Sequence, residues 1–187
     1  MQRFWADGYA ATSVRDLADA MGLSQASVYN AFGDKRALFT QCLDHYLDAN
    51  MRARIARLET TQPPRRAIEM FLLEIVERSL ATRLGCMLAN AALEVAPHDA
   101  DIAEVVGERM AELESFFRRC VAAGQRDGTI ADSVDSTATA QLLLTTVMGL
   151  RVLARGYPQR PLLEGAARQA LSVLGIPKTT PTERHAP

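Results

Sequence analysis

The chain has 187 residues, 48% of them apolar, and a formal net charge of −1. That is enough apolar material to build a core without disulfide help, and it excludes both a highly charged disordered chain and a protein drawn to nucleic acid by bulk positive charge. Three cysteines, an odd number with no CxxC and no His pair at metal spacing, exclude a disulfide framework and a zinc module.

Helical three-four spacing dominates, and no alternating strand pattern of any length occurs, so an all-α chain of about nine helices is expected. A short first helix ends at Gly8, a residue suited to a left-handed helix stop. Ser13 and Asp16 form a near capping box for the second helix, whose apolar face is Val14, Leu17, Ala18 and Met21. Gly22 turns the chain, Ser24 caps a third helix with Val28 and Phe32 inward, and Asp34 caps a long fourth helix running towards Arg57. Pro63 and Pro64 break the chain. Beyond them lie an apolar helix through Ile68, Phe71, Leu72 and Ile75, and then a short one from Cys86 to Val95 that stops at Pro97. A long helix follows, opened by a box at Asp101 to Glu104 and closed at Asp127 and Gly128. Two further helices, from Asp135 to Leu153 and from about Leu162 to Leu174, precede residues 178–187, which read as a flexible tail. No signal peptide and no uninterrupted apolar run of membrane-spanning length is apparent, so a reduced, cytoplasmic protein is expected.

Residues 13–39, SVRDLADAMGLSQASVYNAFGDKRALF, hold two short helices joined at Gly22. The second offers small polar and aromatic side chains on one face and apolar ones on the other, the layout of a helix-turn-helix. The longer run from Gly8 to Phe39 resembles the DNA-binding segment of the tetracycline-repressor (TetR/AcrR) family. Gly8-Tyr9, Thr12-Ser13, Leu17-Ala18, Gly22, Ser27-Val28-Tyr29, Phe32, Lys35 and Leu38 carry the likeness. It implies a three-helix reading head over residues 1–46 with a shortened first helix, Phe4 plugging its core. It also implies a ligand-binding and dimerisation bundle over 47–177, and a dimeric regulator, usually a repressor, released from a palindromic operator by a small molecule.

On that reading the third helix enters the major groove. Its outward positions are Gln25, Ala26, Ser27, Tyr29 and Asn30, with Ser24 at its start. Gln25 and Asn30 carry amides able to bond adenine in two places, and Ala26 can meet a thymine methyl. Ser13 at a helix N-terminus suits a phosphate. Arg15 could reach backbone or base. The resemblance assigns phosphate contacts to Tyr29 and Lys35. Four basic residues (Arg3, Arg15, Lys35, Arg36) face five aspartates in the first 47 positions, so binding must rest on geometry and not on charge.

The resemblance places an effector among the bundle helices, with Phe71, Ile75, Met87, Asn90, Glu94, Met110, Phe117 and Tyr157 as candidate lining. Asn90 and Glu94, four apart on one face, could meet a ligand polar group together, or bond neighbouring backbone instead. The last two long helices carry more apolar surface than one packed face needs, and Ala138, Thr145 and Gly149 permit close approach. A homodimer seam is therefore expected there. No cofactor or metal is expected. His45, His98 and His185 are scattered, and no nucleophile group or Gly-rich phosphate loop occurs, which argues against an enzyme. The competing expectation is a helical interaction or ligand-sensing module with weakened DNA binding.

Overall fold

The computed structural model describes residues 1–175; the expected tail at 178–187 lies outside them. Among the described residues every regular element is helical. The head comprises α1 (Gln2–Asp7), α2 (Val14–Met21) and α3 (Gln25–Phe32). A rod follows: α4 (Lys35–Leu47), a π-helical turn (Asp48–Arg52) and α5 (Ala53–Thr61), without a break between them. The body is α6 (Pro64–Ala81), α7 (Met87–Glu94), a 3-10 turn (Ala96–His98), α8 (Ala100–Arg126), α9 (Ser136–Gly156) and α10 (Arg160–Ser172). With the rod counted once there are nine described helices, as the spacing predicts.

The caps explain most boundaries. Ser13 Oγ accepts the Asp16 N–H while the Asp16 carboxylate accepts the Ser13 N–H at 2.9 Å, a complete capping box. Ser24 accepts the Ser27 N–H, and Asp34 accepts the Ala37 N–H at 2.7 Å. Gly22 stands in the left-handed region (φ 67°, ψ 29°), where a side chain would strain the turn between α2 and α3. Two expectations need correcting. The cap of α8 is Asp99, which accepts the Ile102 N–H, and Asp101 sits inside the first turn, where its charge favours the helix N-terminus. Gly8 has a positive φ of 90° but an extended ψ of 169°, so it is not a left-handed stop.

The head closes on aromatic rings. Phe4, 2% exposed, meets Phe39 edge-on at 5.2 Å, and Tyr9 meets Phe39 at 4.9 Å. The short first helix therefore still plugs the head, as expected. In the body, α8 lies along α9, and α6 packs against both. Phe71, Phe116 and Phe117 form a buried three-ring cluster with centroids 5.2–5.3 Å apart. α9, at 21 residues, is long and apolar enough by length and composition to cross a membrane, although Thr145, Thr146, Arg151 and Arg155 interrupt its apolar run. Here it is a packed bundle helix with Leu143, Val147, Leu150 and Arg151 turned inward.

The rod ties the two parts together. In the π turn the Ala53 N–H reaches the Asp48 carbonyl, five residues back, and the Asn50 side-chain amide donates to the Tyr46 carbonyl at 2.7 Å. Nothing in the composition DANMR announces this widened turn. Trp5 of α1 packs edge-on against Tyr46 at 5.1 Å, Arg109 of α8 donates to Asp44 at 3.1 Å, and Arg36 pairs with Asp99 and Asp101. Head and body are thus joined through contacts as well as through the chain.

Candidate nucleic-acid interface and internal cavity

The outward face of α3 is built as the sequence predicts. Val28 is buried among head residues, while Gln25, Ala26, Ser27, Tyr29 and Asn30 are exposed, Tyr29 by 49%. Ser24 and Ser27 hydroxyls lie 2.9 Å apart at the start of the helix. Ser13 and Arg15 are exposed at the start of α2, where the Ser13 hydroxyl donates to Asp16 at 2.6 Å and Arg15 lies 3.9 Å from Asp19. Lys35 is half-buried, with Nζ 4.4 Å from the Tyr9 ring centre. Burial pulls its pKa below the ordinary lysine value. Arg36 is committed to Asp99 and Asp101 on the body side. The face offered to a duplex therefore carries mainly neutral polar groups, flanked by Arg15 and Lys35.

The structure divides the expected effector residues. Phe71 and Ile75 line a small cavity of about 40 Å³ between the rod, α6, α7, α8 and α9. Met87 and Phe117 are buried in packing, and Met110 is half-buried on α8. Asn90 and Glu94 do not face that cavity. They border a shallow outer crevice with Leu93, Val152 and Arg155. Asn90 donates to the Leu84 carbonyl at 3.1 Å, and Glu94 accepts the Ala10 N–H at 2.7 Å, so both bond backbone. Tyr157 is 59% exposed beyond the end of α9 and does not line that cavity.

The cavity wall holds polar groups that sequence reading missed: Tyr46, Asn50, Arg54, Arg78, Cys86 and Arg151. Burial raises the Tyr46 hydroxyl well above the usual tyrosine pKa, and that group interacts with Cys86 and Arg151. Arg151 is the visible clue, a lone charge in the otherwise uncharged run from Leu142 to Ala154. A larger hollow, about 680 Å³, opens to solvent between α1, α2, α3 and α4. It is a groove of the head. Among the described residues no cluster of His, Cys, Asp and Glu could hold a metal.

Residues 1–42 match the profile described as bacterial regulatory proteins, tetR family. Residues 63–170 match a tetracyclin repressor-like C-terminal domain. The chain belongs to the TetR family. The transcriptional repressor ComR of Escherichia coli K12 is 29% identical over 161 residues, covering 83% of this chain and 75% of that protein. An uncharacterized helix-turn-helix regulator of Bacillus subtilis, YezE, is 28% identical over 170 residues, covering 89% and 88%. Among solved structures, the TetR regulator CifR in complex with a 26-base-pair operator superposes with a TM-score of 0.79 at 30% identity, covering 90% and 88%. As a TetR-family protein this chain is a DNA-binding transcriptional regulator with an N-terminal helix-turn-helix and a helical C-terminal domain.

Proposed function

We propose that the chain is a ligand-responsive repressor. It binds a palindromic operator as a homodimer and leaves it when a small molecule occupies the body. One observation carries this: the exposed face of α3 is joined to the body cavity by an unbroken rod, Lys35 to Thr61. Gln25 and Asn30 read bases, Ala26 packs on a thymine methyl, and Ser13, Arg15, Ser24, Ser27, Tyr29 and Lys35 position the backbone. The similarity to an operator-bound regulator supports this assignment.

The partner copy covers α9 and α10. Leu142 and Val152 on α9, Leu162 on α10 and Val173 just after it are exposed, and a groove between the two helices is floored by Gly149, Leu150, Leu153, Ala166 and Ala170. A two-fold pairing there makes a four-helix seam and sets two reading helices about 34–36 Å apart, one turn of DNA. The protein acts in the cytoplasm, where its DNA is, and carries out no catalysis. Selection of duplexes from a random pool, followed by sequencing of the retained DNA, tests the reading. A palindromic consensus supports it. Uniform retention of all sequences, or none, favours instead a sensing module with weakened DNA binding.

A further inference from the structure

We infer that the body cavity takes an anionic effector, a small molecule bearing a carboxylate, gripped by Arg78 and Arg151. This rests on the effector reading just given and names the chemistry of its ligand. Three guanidinium groups, Arg54, Arg78 and Arg151, reach the cavity wall, and no Asp or Glu stands among its described lining residues. Glu74 serves Arg54 at 3.0 Å and Arg57 at 2.6 Å, leaving one carboxylate between two cations. Arg78 and Arg151 have no ion-pair partner among the described residues. Arg78 donates to the Asn50 side-chain carbonyl, and Arg151 donates to Ser79 Oγ at 3.2 Å and to the Gly85 carbonyl. All these acceptors are neutral. Arg151 is only 3% exposed.

A buried cation without a counter-charge is costly to desolvate, and an anion arriving beside it removes much of that cost. Burial, with Arg78 and Arg151 close by, also lowers the pKa of Arg54, as expected for a site short of negative charge. The flat guanidinium fork matches a carboxylate, bonding both oxygens at once. The remaining wall is apolar (Phe71, Leu88, Leu113, Val147, Met148), which suits a hydrocarbon body more than a fully hydrated inorganic ion. About 40 Å³ admits one or two water-sized groups, so the chamber must open as the tail enters. Asn50 lies in the π turn of the rod, and an anion on Arg78 competes with it for the same donors. Capture of the ligand therefore acts directly on the element that carries the reading head.

The test uses the full chain. Trp5, the sole tryptophan, packs on Tyr46 of the cavity wall, so its emission and the melting temperature both report occupancy. Acetate, butyrate, hexanoate and octanoate are titrated at constant ionic strength, beside their primary amides and inorganic phosphate. The expected result is saturable binding of at least one acid, its amide weaker by about tenfold or more, and a loss of similar size in Arg78→Gln. If Arg151→Met does not fold, Arg151→Lys keeps the charge but loses the fork and still weakens the acid. The inference is overturned if no acid binds, if amides bind as well as acids, if the Arg78 and Arg151 variants leave acid binding unchanged, or if phosphate alone occupies the site. Operator selection on the same preparation separates the two readings. Selective DNA retention without acid binding sinks this inference alone, and acid binding without DNA selection sinks only the repressor.

Discussion

Glu94, in the last turn of α7, accepts the backbone N–H of Ala10 at 2.7 Å, clasping the loop between α1 and α2 to the body. The same carboxylate lies over Gly8, where a Cβ would stand 2.8 Å from Oε2. A loop of the DNA-binding head is thus held directly by a helix of the body, independently of the rod.

That clasp makes two substitutions informative. Glu94→Ala removes the acceptor and is expected to reduce stability by about 1 kcal/mol, whereas Glu94→Gln retains an acceptor oxygen and loses less. Gly8→Ala both meets Glu94 and forces a side chain to φ 90°, so it is expected to be worse, by about 1–3 kcal/mol. Thermal unfolding of the three variants gives the order; equal stability of Glu94→Ala and the parent would remove the clasp from the account.

At the DNA face, Lys35→Ala should weaken specific and random duplexes alike and lower the salt slope by about 1, whereas Gln25→Ala should mainly relax sequence preference. Filter binding across a salt series, with operator and scrambled DNA, separates these effects. With few cations on the face, the parent slope should correspond to on the order of three or four phosphates per half-site.

The seam predicts a monomer on demand. Leu142→Glu and Val173→Glu each place a charge where apolar side chains are exposed, on α9 and just after α10. Light scattering should show the pair of substitutions halving the mass with helical content unchanged. Operator affinity should fall by at least about a hundredfold, because one head alone loses the second half-site. A double variant that stays dimeric would move the seam elsewhere.

Asp16 supplies a pH dependence with a definite sign. Its hydrogen bonds to Ser13 hold the carboxyl below the ordinary value of 3.8. A depressed folded pKa means that the stability it contributes is fully present above 3.8 and lost as pH falls through the lower folded value. Asp16→Asn should therefore melt below the parent near neutrality and converge with it in acid. Melting curves over that range check the convergence.

Much of the reading head was legible because its information is local. Ser13, Ser24 and Asp34 cap helices whose inward residues follow at once, and the Gly22 turn announces itself by residue type. At α8 the local rule favours Asp101, which has Glu104 three residues on, whereas Asp99 has only Ile102 there and still takes the cap. The cavity was far less legible. Asn90 and Glu94 share a face as expected, but that face meets the Leu84 carbonyl and the head loop, partners set by how distant segments pack. Arg54, Arg78 and Arg151 come from three separate helices, and no spacing rule could have gathered them.

The widened turn at Asp48–Arg52 has a consequence for chain length. Removing one residue there would let the rod relax into ordinary α-helix with its two ends still nearly in register, because the five-residue step gives way to a four-residue one of about the same rotation; removing one from α4 instead would rotate everything before it by about 100° relative to everything after. Both halves could still fold, yet in a dimer the two heads would swing off the common face of the double helix. A single-codon deletion in α4 should therefore be harsher than one inside the widened turn, since it would spoil the aim of the molecule while sparing its parts.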